Sequence, residues 1–131
     1  MPDDAEAVAK MAIKIKRAYE APAQSDGYRI LVDRLWPRGI SEGTAQVDLW
    51  LRRVAPTDEL RSWYGHKIEK WPGFRERYEK ELAGHGELLD LIGDIERHRK
   101  TVTLLFGAKD EEHNEANVLL DVLERRAAER T

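Results

Sequence analysis

Two short apolar runs, each stopping at a polar segment, constrain this chain more than any other feature. Tyr28-Arg29-Ile30-Leu31-Val32 ends at Asp33, and Thr101-Val102-Thr103-Leu104-Leu105-Phe106 ends at Gly107. Runs of this kind suit strands buried on both faces, where both sets of alternating side chains meet packing partners. When helices separate such strands in sequence, the expected outcome is a mainly parallel sheet covered on each side.

The rest of the chain supplies the other pieces. From Ala12 to Tyr19, Ile13 and Ile15 alternate with Lys14 and Lys16, which predicts a half-exposed edge strand. The stretch Glu20 to Gly27 (EAPAQSDG) reads as a loop. Ser41 to Gln46 predicts a short helix capped by Ser41, and Val47, Leu49 and Leu51 alternate as a third strand would. Thr57-Asp58-Glu59 marks a helix start, and Trp71-Pro72 begins a stronger one with Phe74, Tyr78 and Leu82 at four-residue spacing. Gly84-His85-Gly86 breaks it. Leu88, Leu91, Ile92 and Ile95 form the next apolar stripe, closed by the cations Arg97 to Lys100. Ala116, Leu119, Leu120 and Leu123 form the last stripe, with Asp110 as its expected cap. The fold expected is α/β: a single three-layer domain over residues 11–131, with a sheet of about four strands flanked by helices. Residues 1–10 (MPDDAEAVAK) are expected to be a flexible extension.

Composition narrows the function classes. The 131 residues are 41% hydrophobic and 36% charged, a globular balance. No apolar run approaches the roughly 20 residues that span a bilayer, and no signal-peptide pattern opens the chain. With no cysteine, disulfides, thiolate nucleophiles and cysteine-based zinc sites are excluded, and a cytoplasmic location fits. A net charge of −3 disfavours extended contact with nucleic acid, which usually needs a basic surface to neutralise phosphates. A small anionic ligand remains compatible with the local arginine clusters. No sequence feature names a cofactor.

The loops after the strands of a parallel sheet normally carry the ligand site. After the first buried run comes Asp33-Arg34-Leu35-Trp36-Pro37-Arg38-Gly39. Arg34 and Arg38 offer planar, bidentate recognition of carboxylate or phosphate, and Trp36 a flat face for a ring or cation. The structural alternative pairs Asp33 with one of the arginines and uses Trp36 to plug the core. After the second run comes Gly107-Ala108-Lys109-Asp110-Glu111-Glu112-His113-Asn114. Lys109 can bind an anion and His113 can act as an acid or base near neutral pH; alternatively, Asp110 and His113 only build a helix cap. Between the two lie Arg61 and His66, the latter in a helix break beside Gly65. A metal site from His66, His113 and an aspartate has no motif spacing behind it. No Walker loop, GxGxxG, GxSxG or helix-turn-helix pattern is present.

The stretches LVDRLWPRG (31–39), APTDELRSWYGH (55–66), WPGFRERYEKEL (71–82) and TVTLLFGAKDEEHN (101–114) resemble the YeaO-like branch of the domain-of-unknown-function 488 family, in the family's order. That family has no agreed activity. The resemblance implies motif positions at Asp33, Arg34, Trp36, Pro37, Arg38, Gly39, Arg61, Trp63, His66, Lys109, Asp110, His113 and Asn114. Relatives that carry a cysteine and a His-Arg pair after the last strand differ from this chain, which has Phe106-Gly107-Ala108 and His113-Asn114 there.

The leading expectation is therefore a small-molecule site built from residues 33–39 and 107–114. Arg34, Trp36, Arg38, Arg61, Lys109 and Asn114 would bind an anionic or nucleotide-like ligand. Were it an enzyme, His113 or His66 would be the acid–base group, oriented by Asp33 or Asp110, for hydrolysis or group transfer without a cysteine nucleophile. The rival is a non-catalytic module that docks a protein or nucleic-acid end through the Arg/Trp loop.

Overall fold

Four strands form one sheet in the order β1-β4-β2-β3: β1 (Ile13–Arg17), β2 (Tyr28–Leu31), β3 (Leu49–Trp50) and β4 (Val102–Phe106). The computed structural model describes residues 12–130; the extension expected over 1–10 lies outside them. Every pairing is parallel, with Ile15 and Ile30 flanking Leu104 from either side. The apolar runs are the two central strands and the Ile/Lys alternation is an edge strand, as the patterns indicate.

The third strand is shorter than Val47 to Leu51. Asp48 turns its carboxylate onto the Arg29 N–H (2.8 Å), and Leu51 N–H reaches Leu31 O (2.9 Å). The chain then turns directly into the 3-10 segment Arg52–Val54, leaving two paired residues.

The helices are α1 (Glu42–Ala45), α2 (Asp58–Tyr64), α3 (Trp71–Ala83), α4 (Gly86–Arg99) and α5 (Glu115–Arg130). Ser41 and Thr57 cap α1 and α2, their hydroxyls accepting from the N–H of Thr44 and Leu60 at 3.2 Å each. Pro72 sits in the first turn of α3, where an N–H would have no partner. None of the helices among the described residues is long and apolar enough to cross a membrane.

The layers are unequal. Helices α2 to α5 all bury their apolar faces against one side of the sheet, where Ile30, Val32, Leu104 and Phe106 meet Leu60, Phe74, Tyr78, Leu82, Ile92 and Leu119. Tyr78 is fully buried there and donates its hydroxyl to Val54 O (2.6 Å), which ties α3 to the segment before α2. The opposite side carries Ala18, Leu31 and Leu105 under Trp36, Val47 and Trp50. Beside that cluster, α1 is fastened down by Arg29, which donates to Ala45 O (2.8 Å) and Gln46 O (3.0 Å). Because all strands run the same way, the chain leaves β1, β2 and β4 at one edge of the sheet, with Tyr19, Asp33 and Gly107 close behind the strand ends.

Candidate functional site

A cavity of about 480 Å³ opens at that edge, within the size range of small-molecule pockets. Its wall is Tyr19, the run Asp33 to Arg38, Ala55, Pro56, Arg61, His66, Phe74, Gly107, Ala108 and Glu115. Phe74 is buried, whereas Leu35, Arg38 and His66 are exposed, which sets an inner end and a mouth.

Asp33 is positioned from two sides. Its Oδ2 accepts the Gly107 N–H (2.8 Å), linking the ends of β2 and β4, and its carbonyl accepts the Trp50 indole N–H (2.7 Å). A Cβ on Gly107 would stand 3.0 Å from Asp33 Oδ2 and 4.0 Å from the Tyr19 ring, so the missing side chain keeps both walls in place. Trp36 folds back over the thin side of the sheet. Its N–H donates to Ile40 O (2.6 Å) and its ring meets Trp50 edge-on with centroids 5.4 Å apart. One edge of this tryptophan thus plugs the core while another borders the cavity.

The cations differ in how far they are committed. Arg34 donates to Pro56 O (3.2 Å) and Ala55 O (3.3 Å) and lies 3.7 Å from Asp58. Arg61 pairs with the same Asp58 at 3.2 Å. No ion pair or hydrogen bond engages the guanidinium of Arg38 among the described residues, and it is exposed. His66 follows the α2 terminator Gly65, and both have left-handed backbones (φ 59° and 54°). For a residue with a Cβ that conformation is costly, and here it sets the imidazole at the cavity mouth, with its ring centroid 6.1 Å from that of Tyr64.

Glu115, in the first turn of α5, is an inner-wall residue that is not among the candidates read from the sequence. Burial and the approach of the Asp33 carboxylate push its carboxyl well above the usual range, while its own backbone N–H and Arg61 act the other way. Tyr19 was also missed. Its signal was its place just past β1 at the same sheet edge, and the Arg17 guanidinium lies 5.1 Å from its ring centroid.

Six of the expected residues, Asp33, Arg34, Trp36, Arg38, Arg61 and His66, therefore line one cavity, and four do not. Lys109 points to solvent. Asp110 accepts the backbone N–H groups of Glu112 and His113 (2.9 Å each) and lies 3.0 Å from the His113 ring. Those backbone donors hold the Asp110 carboxyl below its ordinary value. His113 also sits edge-on against Trp71 at 5.2 Å. Asp110 does not cap α5, contrary to expectation. Asn114 does, accepting the Asn117 N–H (3.0 Å) while its own amide donates to Asp110 O (2.9 Å). The segment 110–114 is a closed turn whose polar groups serve one another. Among the described residues, no three His, Asp or Glu side chains gather as ligands for an ion.

Residues 12–131 match the model of a family described as the inactive DUF488-N3 subclade. An uncharacterised protein of Escherichia coli (strain K12), YeaO, is 43% identical over 113 residues, covering 86% of this chain and 97% of its own length. An uncharacterised protein of Mycobacterium tuberculosis (H37Rv), Rv3073c, is 37% identical over 122 residues, covering 91% of this chain and 99% of its own. No solved structure matches.

Proposed function

The chain belongs to the family described as the inactive DUF488-N3 subclade, and from that premise we propose that it binds a small anionic, nucleotide-like ligand without turning it over. The observation that carries this reading is the convergence of Asp33, Arg34, Arg38, Arg61 and His66 on one cavity at the carboxyl ends of parallel strands. Arg38 supplies an uncommitted guanidinium at the mouth, suited to bidentate contact with phosphate or carboxylate. The description of the subclade as inactive and the lack of a cysteine favour binding over covalent chemistry. A cytoplasmic setting is part of the proposal, and extended nucleic-acid contact is not, given the net charge of −3.

A second reading, a hydrolase or transferase with no cysteine nucleophile, is favoured by Glu115. A carboxyl whose burial and neighbouring charge favour the protonated form is suited to act as a general acid. Product release from phosphate esters would support that version.

Thermal-shift titration with inorganic phosphate, ribose 5-phosphate and AMP tests the binding reading. The parent protein is expected to give a saturable rise in Tm with at least one of the three, and Arg38→Ala to weaken that ligand about tenfold or more. Equal responses from parent and variant, or no response to any of the three, would count against the site.

A further inference from the structure

The inner end of the cavity is anionic, although its mouth is cationic. Asp33 and Glu115 meet there from the loop after β2 and the first turn of α5, beside Phe74 and Gly107. Asp33 Oδ2 is occupied by the Gly107 N–H. Asp33 Oδ1 is buried and receives no hydrogen bond from any donor among the described residues. A buried carboxylate oxygen left in that state is costly. The group beside it is the Glu115 carboxyl, which can donate to Asp33 only while it carries a proton. The proton therefore satisfies that orphaned oxygen and removes a like-charge repulsion at the same time. Arg61 from α2 favours negative charge at Glu115, and Arg34 from the loop after β2 lines the same cavity; both are already tied to Asp58. The Tyr78 hydroxyl, near both carboxyls, is turned away towards Val54 O.

We propose that the Glu115 carboxyl donates its proton to Asp33 Oδ1, and that the remaining carboxyl oxygens of the pair accept the hydroxyl groups of a sugar phosphate whose phosphate lies at Arg38. This deepens the ligand-binding reading above and rests on it. The logic is one of polarity. A floor with one net negative charge and several acceptor oxygens repels a phosphate or carboxylate group and welcomes neutral donors such as vicinal hydroxyls. The mouth offers the Arg38 guanidinium, which suits the charged end. A ligand anionic throughout gains the mouth alone. A polyol phosphate gains both ends, and Tyr19 supplies an apolar wall beside the floor.

Calorimetric titration with ribose 5-phosphate and with inorganic phosphate tests this, using the parent, Glu115→Gln and Glu115→Leu. Glutamine keeps a donor to Asp33 Oδ1 and an acceptor for the ligand, whereas leucine keeps neither. The parent should prefer ribose 5-phosphate at least tenfold, Glu115→Gln should retain that preference, and Glu115→Leu should lose it. Affinity for inorganic phosphate should be alike in all three. The ligand-free parent gives a second readout that needs no variant to fold: the Glu115 carboxyl resonance should stay in its protonated position at a pH where the other glutamates are ionised. Two results overturn the proposal: Glu115 ionising with the other glutamates, or inorganic phosphate binding as tightly as ribose 5-phosphate. In the latter case the anion site at Arg38 stands. Failure of both ligands to bind would overturn the anion site as well as the pair.

Discussion

Asp26→Ala is expected to destabilise the protein by about 3–5 kcal/mol, read from urea unfolding at neutral pH. Asp26 is 1% exposed and Arg29, which it pairs, 4%. The carboxylate also accepts from Lys16 Nζ at 3.0 Å and the Ala23 N–H at 3.0 Å, with Lys14 Nζ at 3.3 Å. Alanine would leave the Arg29 guanidinium in the interior with two carbonyls and no anion. That residual charge, more than the lost attraction, accounts for most of the cost. Acid provides a second readout. Burial alone would raise the Asp26 carboxyl, but the Ala23 N–H and the cations Lys16, Lys14 and Arg29 outweigh it and hold the group far below the usual carboxylate range. A depressed folded value means the stabilisation is present above the unfolded value, near 4, and drains away as pH falls below it. The parent should therefore lose stability in acid more steeply than Asp26→Ala. A loss under about 1 kcal/mol at neutral pH would place Asp26 among surface ion pairs.

The next residue gives the second large effect. Gly27 has φ 65° and ψ −135°, a region essentially open to glycine alone. A Cβ there would stand 2.3 Å from Thr101 O and 2.8 Å from Thr101 Cβ. The carbonyl cannot withdraw cheaply, because it accepts the Tyr28 N–H at 3.0 Å, the first link between β2 and β4. Gly27→Ala thus combines strain, a backbone clash and a disturbed central pairing. A loss of about 3 kcal/mol or more is expected, a fall of roughly 10 °C in Tm for a domain of this size. Gly43→Ala is the control. It lies in α1, where an added Cβ would meet nothing within 4 Å, and should leave Tm unchanged or slightly raised.

Both effects fall in a stretch that the sequence shows only as a loop, Glu20 to Gly27. The signal lay elsewhere, in Arg29. An arginine inside an otherwise apolar central strand needs a buried anion, and the folded chain supplies it from the preceding turn, Gln24–Asp26. The Lys14/Lys16 alternation has the same explanation, since these lysines turn towards Asp26 as well as towards water. Periodicity marks which residues alternate, but not which buried charge they face.

The same limit divides the candidate site. Arginines, Trp-Pro and a strand-end aspartate in Asp33 to Arg38 were legible as a ligand loop because a parallel sheet gathers strand ends at one edge. His66 could be picked out by the helix break beside it. Lys109, Asp110, His113 and Asn114 were grouped with them by proximity to β4. Yet Asp110 with His113 at i+3, and Asn114 with Asn117 at i+3, are spacings that turns and helix caps use. Glu115 was hidden for a related reason. An acid in the first turn of a helix has an adequate local explanation, and only the tertiary approach of Asp33 gives it another.

Amide chemical-shift mapping with ribose 5-phosphate tests the central claim most directly. The account predicts saturable shifts at the backbone amides of Arg34, Leu35, Arg38, Gly107 and Ala108, with the midpoint moved to about tenfold higher ligand or more in Arg38→Ala. Shifts confined to the smaller hollow of about 190 Å³ at Tyr28, Asp94, His98 and Arg99, or no shifts at either place, would contradict it.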